Sequence, residues 1–217
     1  MEPLRAPGPH DGQRVMVAGQ PLDRARTALI LVHGRGDSAS GILSLGRALP
    51  RADMAYLAPQ AAGNTWYPNP FLARIASNEP WLSSALAAVG DLVKQVEEAG
   101  IAADRIVLAG FSQGACLALE FAVRHPRRYG GVVGLSGGLI GPPGTTWTAS
   151  SSFEGTPVFL GCSDVDGHIP ASRVLESAEV FRRAGGEVTS ILYPGMDHTV
   201  TEEELVHVRR IVGGLAA

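Results

Sequence analysis

Cysteine is scarce in this chain. Only two, Cys116 and Cys162, occur among 217 residues. Two thiols build no disulfide framework, which excludes small stapled secreted folds and points to a reducing compartment. Runs of Lys or Arg are missing as well, and the formal net charge is −3. Without a basic stripe, nucleic acid is excluded as a partner, as is a polybasic grip on a membrane surface. No apolar run is long enough to cross a bilayer, so no stable membrane insertion is expected. The opening residues, MEPLRAPGPHDGQ, are rich in Pro and Gly and lack the apolar centre of a signal peptide. Cytoplasmic localisation is the expectation. Residues 1–13 read as a flexible N-terminal arm.

What is present is a large apolar fraction, 45% of residues against 18% charged. That suffices for one α/β domain over 14–217 whose sheet is covered on both faces. Strands are expected at 14–19, 28–34, 54–59, 105–110, 129–137, 156–161 and 187–194. The second, ALILVHG, is almost wholly apolar, as a strand buried on both faces must be. Helices are expected after Ser38 or Ser40, from Pro80 to Gly100, at 113–125 before Pro126, at 171–184, and from Thr201, where Glu204 completes a capping box. Strands alternating with helices predict a mostly parallel sheet with helices on both faces. Two long connections, 60–80 and 137–155, interrupt the alternation and have the length of binding loops.

The pattern G-x-S-x-G occurs twice, as GFSQG at 110–114 and GLSGG at 134–138. A nucleophile elbow needs strand, sharp turn and helix, so that the serine oxygen stands above the sheet edge near the helix's positive end. After Ser112 comes QGACLALEFAVRH, a good helix in which Cys116 is expected to be buried. After Ser136 comes GGLIGPPG, whose glycines and prolines prevent one. Ser112 is therefore the candidate nucleophile, and Ser136 reads as the end of a strand.

A serine hydroxyl needs a base to take its proton. Of six histidines, His198 lies between the last strand and the last helix, in a loop at the strands' C-terminal rim, where open α/β sheets place their sites. His10 falls in the arm, His33 ends a strand, His125 ends a helix and His207 lies within one. The acid should follow Ser112 at another strand end. The segment FLGCSDVDGHIP offers Asp164 and Asp166, with strand spacing slightly favouring Asp164. Asp197 adjoins the histidine and reads as a turn residue. Asp164, Asp166 and His168 also have spacing that a metal could use, but a metal would leave the serine elbow without a purpose. For an oxyanion hole, the residue after the nucleophile, Gln113, should give one backbone N–H. HGRGDS at 33–38 should give the other, from Gly34 or, as favoured, Arg35. The Arg35 side chain should pair with an acid such as Asp37, or meet an anionic substrate group. Trp66, Tyr67 and Phe71 on one loop, and Leu139, Ile140 and Trp147 on the other, should wall the substrate pocket.

Together LVHGRGD, NTWYP, AGFSQGA, DGHIP and YPGMDH resemble, in order, the motifs of the phospholipase/carboxylesterase family of α/β-hydrolases, a likeness covering nearly all of the chain beyond the arm. The resemblance implies an α/β-hydrolase fold with no separate lid domain, a Ser–Asp–His triad, and no cofactor or metal. Ser112 and His198 take the family's nucleophile and base positions. DGHIP fits the family's acid motif, which places the acid at Asp166, although the loop after Gly161 is two residues longer than usual. The implied activity is ester hydrolysis of small or medium acyl chains through an acyl-enzyme, with thioester or lysophospholipid hydrolysis as the alternative and a non-catalytic ligand-binding module on the same fold as a lesser one. The expected partner is a small-molecule ester; a homodimer is left open.

Overall fold

The structure, a computed structural model, describes residues 1–216. Seven strands form one sheet: β1 (Val15–Gly19), β2 (Thr27–Val32), β3 (Met54–Pro59), β4 (Ile106–Phe111), β5 (Gly131–Leu135), β6 (Pro157–Ser163) and β7 (Glu187–Tyr193). Their spatial order is β1-β3-β2-β4-β5-β6-β7. Only the edge strand β1 runs antiparallel, pairing Val15 with Pro59 through Gly19 with Ala55. The remaining pairs are parallel, so the connections after them deliver their loops to one rim.

Side-chain alternation explains the layering. Along β2, Ala28, Ile30 and Val32 enter one core cluster and Leu29 and Leu31 the other. Both faces are thus apolar, and each needs helices. On the first face lie α2 (Trp81–Glu98), α3 (Gln113–Arg124) and α4 (Ala171–Arg183). The second is covered by α1 (Ala39–Arg47) and α5 (Glu202–Gly213). Burying each Leu or Ile of β2 contributes about 2 kcal/mol.

Local signals set the helix ends. The Ser38 hydroxyl accepts the Gly41 N–H at the start of α1. Gly100 takes φ +94° just beyond α2, a conformation costly for residues with a Cβ. Thr201 and Glu204 form the reciprocal capping box of α5. β2 is shorter than expected, ending at Val32, so His33 and Gly34 already belong to the loop above the rim.

The expectation of a loose N-terminal arm is corrected. Leu4, Ala6 and His10 are fully or almost fully buried. The Leu4 N–H donates to the Gln13 carbonyl and the Gly12 N–H to that of Leu4, closing a compact loop. The Ser84 hydroxyl on α2 donates to the Ala6 carbonyl and accepts the His10 N–H. The arm's few apolar residues show no periodicity, yet they cap one end of α2.

Candidate active site

The strand-to-helix junction after β4 is an elbow. Ser112 has φ +54° and ψ −120°, a strained conformation that lifts its side chain off the sheet edge. Two close approaches make the flanking glycines obligatory. A Cβ on Gly110 would stand 2.3 Å from the Gly114 carbonyl oxygen, and one on Gly114 would stand 2.1 Å from that of Val32. The motif's glycines therefore serve backbone packing, and the serine is the residue they present.

Ser112 Oγ lies 2.8 Å from Nε2 of His198, and His198 Nδ1 lies 2.6 Å from Oδ2 of Asp166. Oδ1 of Asp166 accepts the backbone N–H groups of His168 and Ile169 at 2.8 and 3.0 Å. The carboxylate is closed to solvent, whereas the imidazole is partly open. Burial raises the Asp166 carboxyl, but the His198 hydrogen bond and the two backbone N–H groups outweigh it and hold the pKa below the usual value. An ionised Asp166 keeps the proton of His198 on Nδ1, which leaves Nε2 free to accept from the serine hydroxyl. Phe111 packs against the His198 ring at 5.0 Å, and His168 meets it edge-on at 4.9 Å.

The alternatives do not converge. Asp164 turns the other way and accepts the Gly195 N–H at 2.8 Å. Asp164, Asp166 and His168 thus do not gather around one point, and no group of three potential metal ligands occurs among the described residues. Ser136 also has positive φ, +49°, but it is buried and its hydroxyl has no hydrogen-bond partner among the described residues. Cys116, one helical turn beyond Ser112 at the wall of the same cleft, is buried, and burial pushes its thiol up to about 12, so it is not a competing nucleophile near neutral pH.

The backbone N–H groups of Arg35 and Gln113 donate to no other group among the described residues. Both residues line the cleft beside Ser112. Around them the loop is braced. The Gly36 N–H donates to the Asn64 carbonyl, and Trp66 Nε1 donates to the carbonyl of His33. His33 itself is buried, with Nδ1 donating to the Gly34 carbonyl and Nε2 accepting the Ala61 N–H. His10 does the same one residue on, accepting the Ala62 N–H and donating to the Trp66 carbonyl. The Trp66 ring lies between the two imidazoles, at 5.3 and 5.0 Å. Neither brace was legible from sequence, because histidine in a loop carries no signal of its tertiary partner.

The cleft encloses about 710 Å³, a size that suits a small-molecule ligand. Tyr67 and Phe71 wall it as expected, joined by Pro70 and Ile169. Trp66, Leu139, Ile140 and Trp147 do not line it. Trp66 is fully buried, its Nε1 donating to the His33 carbonyl. The second loop is drawn down between α3 and α4. The Ile140 N–H donates to the buried Glu120, Leu139 donates to Ser177, and Arg173 donates to the carbonyls of Leu139 and Gly141. Trp147 Nε1 reaches the same Glu120 carboxylate. The expected ion pair of Arg35 with Asp37 is also absent. The guanidinium instead donates to the carbonyls of Tyr67, Pro68 and Asn69, while the Asp37 carboxylate lies over the first turn of α1 near Gly41. Another cavity, about 570 Å³, opens between α5 and the N-terminal ends of β6 and β7 and contains none of the three converging residues.

A parallel sheet carrying a serine elbow, with an imidazole and a carboxylate in line at its C-terminal rim, defines an α/β-hydrolase. The chain belongs to the phospholipase/carboxylesterase family, which it matches over residues 14–213. It is 30% identical to acyl-protein thioesterase 1 of Saccharomyces cerevisiae over 220 residues, 90% of this chain and 94% of the yeast protein. A probable carboxylesterase of Arabidopsis thaliana, SOBER1-like, is 26% identical over 202 residues, 85% of this chain and 77% of the plant protein. The crystal structure of a phospholipase/carboxylesterase from Dyadobacter fermentans shares 42% identity at a TM-score of 0.89, covering 92% of this chain and 96% of that one. The protein is a hydrolase of this family.

Proposed function

We propose that the protein is a serine carboxylesterase that cleaves esters of small or medium acyl chains through an acyl-enzyme. The observation that carries this reading is the continuous line Ser112 Oγ, His198, Asp166, with contacts of 2.8 and 2.6 Å. His198 takes the hydroxyl proton as Ser112 attacks the ester carbonyl, then returns it to the leaving alcohol. Asp166 orients the imidazole and stabilises its charged form. The N–H groups of Arg35 and Gln113 hold the developing oxyanion, each at a typical worth of about 3 kcal/mol. Water, activated by the same histidine, then releases the acid. The apolar walls contributed by Tyr67, Phe71 and Ile169 suit an acyl chain or an aromatic ester.

One observation favours a second substrate reading. The yeast relative is named a thioesterase, and this machinery would attack a thioester by the same steps. Turnover of p-nitrophenyl esters of rising chain length, against acyl thioesters of matched chains, separates the two. Higher kcat/KM on the oxygen esters supports the carboxylesterase; a clear preference for thioesters moves the assignment. Wild-type turnover that persists undiminished in Ser112→Ala would contradict both.

A further inference from the structure

The two residues assigned to the oxyanion hole come from different parts of the fold, one after β2 and one at the start of α3. Their side chains nevertheless converge on a single acceptor. Arg35 Nη2 and Gln113 Nε2 each donate to the Tyr67 carbonyl, both at 2.8 Å. The Thr65 hydroxyl adds a longer contact of 3.2 Å to the same oxygen. Each side chain is fixed further on the same segment. Gln113 Oε1 accepts the Trp66 N–H at 2.9 Å, so its amide is held at both ends. Arg35 reaches the Pro68 and Asn69 carbonyls at 3.0 and 3.1 Å. The fork spans three successive carbonyls, which a lysine ammonium on its flexible stem would not match.

We propose that the side chains of Arg35 and Gln113 act as one brace on the Tyr67 carbonyl, and that this brace sets the spacing between the two backbone N–H groups of the oxyanion hole. Both are positioning residues through their side chains, and the inference rests on the acyl-transfer reading. Oxyanion donors help only when they are fixed before charge develops on the carbonyl oxygen. A misplacement of about 1 Å can cost on the order of a hundredfold in rate. The ground-state ester leans much less on these donors, so the loss should fall on kcat. Gln113 is buried and satisfied at both ends of its amide. The Arg35 side chain reaches the same segment from the exposed side.

The test uses the full chain, with steady-state kinetics on a short p-nitrophenyl ester and binding of an alkyl boronic acid as tetrahedral mimic. Arg35→Met and Gln113→Met should each lower kcat at least roughly tenfold and change KM less than about threefold, with boronate affinity falling in step with kcat. Because the two side chains share one acceptor, the double variant should be no slower than about threefold below the worse single variant. Arg35→Lys should recover part of the loss. If Gln113→Met does not fold, Arg35→Met and its partial rescue by Arg35→Lys still read the loss of kcat at the exposed end of the brace. Single variants with kcat within threefold of wild type, or a double variant whose loss is the product of the two, overturn the brace. If that happens while Ser112→Ala remains inactive, the brace falls and the serine-hydrolase reading stands. Loss of the reading itself would show as wild-type turnover indifferent to Ser112→Ala.

Discussion

Asp164 and Asp166 are separated by one residue, and their carboxylates face different partners. Asp166 meets His198, while Asp164 holds the Gly195 N–H. Asp166→Asn should therefore lower kcat roughly ten-thousandfold, because an amide in that place favours the wrong imidazole tautomer. Asp164→Asn should stay within a few-fold of wild type. Steady-state kinetics on one ester checks both, and the opposite pattern would move the acid to Asp164. Sequence spacing alone slightly favoured Asp164, whereas the structure turns Asp166 to the imidazole and Asp164 to Gly195. The family's acid motif favoured Asp166, a distinction spacing could not make, because β6 runs on to Ser163 and leaves Asp164 directly at the strand's end. A second residue-scale prediction concerns the elbow. Gly114→Ala forces a Cβ against the Val32 backbone, and backbone cannot rotate away as a side chain can. Urea unfolding should show a loss of about 3 kcal/mol or more, or no folded protein at all. A loss under 1 kcal/mol would mean that the strand and helix are free to separate.

At the scale of elements, the strands and helices were legible because each carries its own period and its own stop signals. Gly100, Pro126 and the Thr201–Glu204 pair end or begin helices through purely local chemistry. Thr201→Ala should accordingly cost about 1 kcal/mol in urea unfolding. The arm and the two long loops were less legible, since side-chain direction in irregular backbone is decided by distant partners. Trp66 and Tyr67 are adjacent and aromatic, yet one supports the loop from within and the other faces the cleft. Residues 1–13 read as a flexible arm, yet His10 holds the Ala62 N–H and the Trp66 carbonyl. Removing residues 1–12 should lower Tm by several degrees and reduce kcat, although no residue of the arm lines the cleft. Unchanged melting and turnover in that truncation would show that α2 and the 61–66 segment hold their places unaided.

For the whole molecule, the sheet order gathers the functional loops on one rim, and that much followed from the alternation of strands and helices. Two buried histidines add a property that composition does not show. Burial lowers the pKa of His10 and of His33, against the opposing pull of their hydrogen bonds to the Trp66 and Gly34 carbonyls. A histidine whose folded pKa is depressed contributes stability that is fully present above its unfolded value of about 6.5. That contribution falls away as pH drops from there toward the folded pKa, because the unfolded chain binds the proton first. Chemical denaturation between pH 7.5 and 5 should thus show stability declining with acid, and His10→Gln should flatten the decline. A slope indifferent to that substitution would remove His10 from the account. The central claim is the alignment of Ser112, His198 and Asp166, and intact-protein and peptide mass spectrometry after fluorophosphonate treatment tests it most directly. The account predicts one adduct, on Ser112, absent from Ser112→Ala and formed far more slowly in His198→Ala. An adduct on Ser136, or labelling that survives both substitutions, would contradict it.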